Sequence, residues 1–353
     1  MTPNPFFGVF LHALGGLAAA SFYVPYSRVR KWQWENYWLA GGIFSWLITP
    51  WVLALILVPG TLAILAQASG TALFWTYAFG LLWGIGGLTY ALTIRYLGLA
   101  LGNAVALGLC AFFGTLMPPL RSGELFGMFQ TTAGLITLLG IAMCLGGIAL
   151  SGKAGMNKEA ELSDEQKVTS LGKFELWKGL GVALISGVMS ACMAYAFAAG
   201  KPIGDIAVEQ GVAPTWQNLP VLAVALLGGL TSNAIYCVYL LRKNRSASNY
   251  WKSSDSEERV PLARNYIFSA IAGITWYLQF FFYGMGTTKM GEYDFTSWSL
   301  HMSCIILFGT VWGILIFREW DGTSRKTHVW IALGLSVLVL SIITIGYGNY
   351  LAA

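Results

Sequence analysis

The amino-acid sequence predicts an all-α membrane protein, with ten transmembrane helices in two inverted five-helix repeats. Three observations carry that prediction. Ten long apolar runs, approximately 6–24, 37–58, 73–94, 99–118, 131–150, 179–198, 219–241, 266–286, 297–317 and 329–347, are separated by short polar links. Several exceed about 18 residues without a charge, the length an α-helix needs to cross the hydrocarbon layer. Only 10% of the 353 residues are Asp, Glu, Lys or Arg, against roughly 25% in soluble domains, and mean hydropathy is +0.62. The basic residues sit in the links and alternate with link number.

Each run has its own marks. Before the first, residues 1–5 carry no basic charge, and bulky Phe22 and Tyr23 occupy the region where a cleaved leader needs small residues. The run is therefore expected to stay as helix one. Trp32, Trp34, Tyr37 and Trp38 surround the boundary of the second. The third holds Gly84, Gly86-Gly87 and Tyr90 and ends at Arg95; the fourth opens with Asn103 and closes on Pro118-Pro119, where a missing donor costs least. The fifth contains Gly146-Gly147, and the link after it, 151–173, mixes both signs and divides the chain into halves 1–150 and 174–353. Pro202 marks the end of the sixth and Pro220 the start of the seventh, which carries Gly228-Gly229 and Asn233. Such glycines let helix backbones approach closely. The eighth is dense in aromatic residues, and the ninth begins Ser297-Trp298-Ser299-Leu300-His301. Trp177, Trp216, Trp251, Trp298, Trp320 and Trp330 lie near run ends, as expected of rings anchored at headgroups.

Sixteen Lys and Arg residues fall in the odd links, whereas the even links hold Arg121, Lys201 and Lys289. Basic loops stay in the cytoplasm, so both termini are expected on the other side. Five helices per half make corresponding helices antiparallel, so a repeat would be inverted, a common transporter design. Phe113-Gly114-Thr115 with Glu124 recurs as Phe308-Gly309-Thr310 with Glu319 at an offset of 195 residues, which makes Gly114 and Gly309 expected close-packing positions.

The net charge of +5 belongs to these loops and gives no reason to expect nucleic acid. The five cysteines lie within apolar runs without a CxxC pair and read as small buried hydrophobes. Three scattered histidines make no metal motif, and no phosphate loop or coherent acid–base pair is visible. Neither an enzyme, a cofactor nor an obligate protein partner is expected.

The polar groups inside the runs are uncharged. Helix one carries His12, Ser21 and Tyr23; helix four, Asn103; helix seven, Asn233. In helix eight, Trp276, Gln279 and Tyr283 fall on one face through i,i+3 and i,i+4 steps. Such groups are costly in hydrocarbon and need partners or a wet cavity. They suit the hydroxyls of a small neutral solute, although a helix contact explains Gln279 equally well. His12 and His301 are the side chains most easily protonated near neutral pH, with Asp294, Glu292 and Lys289 clustered just before helix nine.

Longer stretches add a resemblance. Ser21-Phe22-Tyr23-Val24-Pro25, Trp32-Gln33-Trp34-Glu35, Trp83-Gly84-Ile85-Gly86, Arg95-Tyr96-Leu97-Gly98, Trp276 through Tyr283, Tyr293-Asp294-Phe295 and Ser297 through Ser303 occur in this order. In them the chain resembles, over nearly its whole length, the bacterial L-rhamnose–proton symporters, a branch of the drug/metabolite transporter superfamily. The resemblance implies uptake of L-rhamnose or a closely related deoxyhexose with a proton across the inner membrane, in contact with membrane lipid. It raises His12, Tyr23, Gln279, Asp294 and His301 as site residues. The resulting expectation places Gln279, Trp276, Tyr283, His12, Tyr23 and Asn103 on the sugar, and His301, Asp294 and His12 on the proton. A proton-independent facilitator or exporter of another small polar metabolite, or a membrane sugar sensor, would use the same bundle. Met285 with Thr287-Thr288 departs from the family pattern after helix eight.

Overall fold

A computed structural model describes residues 3–97, 99–161, 175–251 and 261–353. Among the described residues, ten helices are long and apolar enough to cross a membrane: α1 (Pro5–Tyr26), α2 (Trp34–Leu57), α3 (Gly70–Leu97), α4 (Leu101–Ser122), α5 (Thr132–Glu161), α6 (Leu176–Glu209), α7 (Pro214–Lys243), α8 (Leu262–Thr287), α9 (Gly291–Leu315) and α10 (Arg325–Ala352). Every element among the described residues is helical. Their outward faces are apolar, with Ile56, Ile235 and Ile343 turned away from the protein, as lipid-facing surfaces require.

Two helices run longer than their hydropathy predicts. Residues 151–161, expected to begin a connecting loop, continue α5 to Glu161, while the rest of that segment (162–173, with Lys167 and Lys173) lies outside the described residues. At its end the Glu161 carboxylate accepts from the Ser324 backbone N–H and the Ser324 and Thr327 hydroxyls, all at 2.6 Å, capping the N-terminus of α10. Helix α6 likewise continues through Lys201 and Pro202 to Glu209, so Pro202 does not end it.

The bundle is built from cross-contacts between sequence halves. Helix α5 packs along α10, α3 against α6 and α7, and α1 between α8 and α9. The α3–α7 crossing depends on bare backbone: a Cβ on Gly228 would stand 2.1 Å from the Tyr77 carbonyl oxygen. Interhelical hydrogen bonds fix the registers. Tyr195 donates to the Phe113 carbonyl at 2.9 Å, Ser186 to the Gly86 carbonyl at 3.1 Å, and Trp312 Nε1 to Ser21 Oγ at 2.8 Å.

Some expectations about single residues change. Gly114 is a close-packing position, because a Cβ there would meet the Trp298 indole at 2.3 Å; Gly309, its expected counterpart, faces open space. Trp298 is no headgroup anchor but is 2% exposed and donates to the Cys110 carbonyl at 3.1 Å. Trp38 points into the bundle and donates to Asn233 Oδ1 at 3.0 Å. Trp177 and Trp251, by contrast, are exposed at their helix ends.

Candidate substrate and proton site

The site is built around Tyr283. Its ring lies 5.4 Å from His12 on α1, 5.3 Å from His301 on α9, 5.7 Å from Trp298 on α9 and 4.9 Å from Phe197 on α6. Glycines make the space. A Cβ on Gly286 of α8 would meet the His12 ring at 2.7 Å, and one on Gly15 of α1 would stand 3.5 Å from the His301 ring. Both imidazoles are fully buried, and none of their four ring nitrogens has a hydrogen-bond partner among the described residues. Each such group forgoes about 1–3 kcal/mol relative to a satisfied one. Unpaired buried polar atoms on this scale invite a ligand or an ordered water.

A cavity of about 410 Å³ lies beside this cluster, at the end of the bundle that carries the even links. Its deepest lining residues on their helices are Gly114, Ala194 and Tyr283; Ser122, Glu124 and Lys201 lie toward the even links. Gln217 and Asn218 at the start of α7, Thr287 and Thr288 at the end of α8, and Asp294 and Phe295 in the first turns of α9 also line it. Asn218 Nδ2 donates to the Gly284 carbonyl at 2.8 Å and to Thr287 Oγ1 at 3.1 Å, which fixes the amide and leaves Oδ1 without a partner among the described residues.

From Tyr283 an aromatic series runs toward the other end. Phe280 is 6.4 Å from Tyr283 and 5.7 Å from Trp83; Trp276 is 5.4 Å from Trp83 and 5.8 Å from Trp46; Trp38 is 5.9 Å from Trp46 and stacks on Trp34 at 5.2 Å. Tyr26 joins this end to Tyr23. The sequence-expected residues therefore divide. His12, Tyr283 and His301 come together, and Gln279 is on the same stretch of α8, its carbonyl oxygen 2.8 Å from where a Gly15 Cβ would stand. The Gln279 Nε2 donates to the Trp276 carbonyl of its own helix at 3.0 Å, so it makes no cross-bundle bond through that group. Asp294 lines the cavity but does not hydrogen-bond either histidine.

Tyr23 and Asn103 belong elsewhere. Tyr23 is half exposed at the odd-link end, packed on Phe22. Asn103 accepts from the Tyr90 hydroxyl, the two pairing across the α3–α4 hairpin. Neither makes a ring contact with Tyr283, which meets His12, Phe197, Phe280, Trp298 and His301. Phe197 and Asn218 were not expected from sequence; a polar residue at the first turn of a long apolar run, Asn218 in Trp216-Gln217-Asn218, was the available sign.

A family model described as L-rhamnose-proton symport protein (RhaT) matches residues 1–351. The L-rhamnose-proton symporter of Shigella sonnei (strain Ss046) is 37% identical over 342 residues, 97% of each chain. The protein of that name from Cronobacter sakazakii (strain ATCC BAA-894) is 38% identical, and that from Escherichia coli O8 (strain IAI1) 36%, each over 97% of both chains. With the match running from end to end and ten membrane-length helices beneath it, the chain belongs to the L-rhamnose-proton symport protein family.

Proposed function

We propose that this protein carries L-rhamnose together with a proton into the cell across the bacterial inner membrane, by alternating access. The termini and even links face the periplasm in this reading, and the basic odd links face the cytoplasm. The single observation that carries the coupling is the contact of two unpartnered, fully buried histidines with Tyr283 at the inner end of the cavity. Cargo and proton then meet at one cluster. A hydroxylated ring against Tyr283 supplies the hydrogen-bond acceptors that a protonated His12 or His301 needs, so cargo and proton favour one loaded state. Thermodynamic linkage demands that shared preference.

In the proposed site, Tyr283 and Gln279 read hydroxyls, while Trp276 bounds the route below them. His301 is the principal proton carrier, with His12 between proton and cargo, and Asp294 delivers protons from the cavity. Tyr23 and Asn103 serve the exit at the odd-link end. No covalent chemistry takes place.

The test is L-rhamnose uptake by proteoliposomes with and without an acid-outside gradient. Accumulation driven by the gradient is expected. His301→Ala should lose at least about tenfold of the gradient-driven component, the scale of one lost buried charge-assisted bond, and Gln279→Ala should raise KM. Normal uptake and coupling in both variants would remove this site assignment. Flux independent of the gradient would make the protein a facilitator, and binding without flux a sensor.

A further inference from the structure

We infer that the cavity recognises the methyl group of a 6-deoxyhexose on an apolar inner wall formed by α4 and α6, beside a hydroxyl-reading wall formed by α7 and α8. This rests on the proposed function and adds which side of the site sets the class of sugar. The two walls differ in kind. On one side, at the inner part of the cavity, Gly114, Ala194, Phe197 and Ala198 present no hydrogen-bonding side-chain atom, while Ser122 and Lys201 of the same helices lie toward the even links. On the other, Asn218 holds its free Oδ1 in place because its Nδ2 is committed to Gly284 and Thr287. The Tyr283 ring joins the two walls through its contact with Phe197.

The apolar wall is rigid. Tyr195 ties α6 to α4 at the Phe113 carbonyl, and the Trp298 indole, packed against Gly114, is bonded to the Cys110 carbonyl. None of these four side chains can turn a donor toward a hydroxyl that arrives at the inner part of the wall. A ring carrying CH₃ at C6 buries apolar surface on it, whereas one carrying CH₂OH must bury a hydroxyl without a partner. A hexopyranose with hydroxyls on one side and a methyl on the other matches both walls at once. The expected discrimination is limited, since an apolar pocket rejects an added hydroxyl by only about a hundredfold.

The experiment compares L-rhamnose with L-mannose, the same sugar bearing a hydroxyl on C6, in gradient-driven proteoliposome uptake. The wild-type kcat/KM ratio should favour L-rhamnose by roughly 10- to 100-fold. Ala198→Ser, exposed to the cavity, and Ala194→Ser, on its inner wall, should each reduce that ratio by about fivefold or more, chiefly through a lower KM for L-mannose. Asn218→Ala should weaken both sugars alike and leave the ratio unchanged. If Ala194→Ser does not insert, Ala198→Ser alone decides the matter. Serine variants that transport L-rhamnose yet keep the wild-type ratio would overturn the inference while leaving the symporter reading intact. A wild-type protein that fails to take up L-rhamnose would overturn the symporter reading, and the inference with it.

Discussion

The two ends of the bundle begin a helix with nearly the same three residues and use them differently. Trp34-Glu35-Asn36 opens α2 at the odd-link end, and Trp216-Gln217-Asn218 leads into α7 at the even-link end. At the first, Glu35 is 3% exposed and Asn36 fully buried. Glu35 accepts from Ser246 Oγ at 2.6 Å and Asn244 Nδ2 at 2.9 Å, while Asn36 donates to the Ser246 carbonyl at 3.0 Å and accepts from Asn249 Nδ2 at 3.1 Å. The segment after α7 is thereby fastened over the start of α2, and Asn265 adds a pair of bonds to the Arg30 backbone. At the second, Gln217 and Asn218 line the 410 Å³ cavity, and one amide oxygen is unspent. One end has its polar groups engaged with protein; the other offers them to solvent and solute. A transporter that alternates must be able to exchange those two conditions, and the polar bonds at the fastened end are among the free-energy differences that bias the exchange.

Breaking the fastened end should have the largest effect. Asn36→Ala removes both side-chain bonds to the α7–α8 segment together with the Gln33 N–H bond to Oδ1, and strands their partners in a buried place. The loss is expected to be about 3 kcal/mol, a shift of roughly a hundredfold in any equilibrium that holds this end together. Cysteine placed at Ser246 and probed with a membrane-impermeant thiol reagent from the odd-link side should label faster in the Asn36→Ala background, while detergent-solubilised protein melts lower. An unchanged labelling rate would show that the network is scaffold that never opens.

That prediction also marks where sequence reading succeeds and where it stops. The ten spans were legible because charge is nearly excluded from hydrocarbon, a constraint that acts on composition alone. Helix ends were less so: α6 passes Pro202 because a bundle flanking the proline can supply the contacts that a single missing donor forfeits. The Trp276–Gln279–Tyr283 stripe was legible since helix periodicity fixes which residues share a face. Which way Trp298 turns was not, because hydropathy near a helix end fits an anchor and a buried ring equally. Tyr23 was grouped with Tyr283 by the family resemblance and Asn103 by residue type, yet neither carries information on depth along the bundle. Phe197 resembles any apolar lining residue until the helices opposite it are placed.

A smaller effect is expected at the open end. Asn218→Ala deletes the fixed acceptor and the two bonds that its Nδ2 donates, while the Thr287 hydroxyl goes on donating to the Gly284 carbonyl at 2.9 Å. The cost should be one neutral hydrogen bond to cargo, about 1 kcal/mol or roughly fivefold in KM for L-rhamnose, with little change in kcat. If kcat fell instead with KM unchanged, Asn218 would belong to the moving parts of this end and the comparison with Asn36 would become one between two fasteners.

The smallest effect sharpens what kind of solute the open end admits. Lys201 lines the cavity and pairs with Asp205 one turn on, at 2.9 and 2.8 Å, with both side chains well exposed. An exposed pair of this spacing contributes only about 0.3–0.5 kcal/mol, so Lys201→Ala should barely change stability. For a neutral sugar it should also leave uptake within about twofold, since removing an exposed, screened charge alters encounter with an uncharged ligand very little. An anionic cargo would respond otherwise: its entry would weaken when the cation is lost, and more so at low ionic strength. Uptake of L-rhamnose by Lys201→Ala, measured at low and high salt, is therefore expected to be flat. A salt-dependent loss would mean that the cavity recognises charge as well as hydroxyls, and that the contrast between the ends extends to electrostatics.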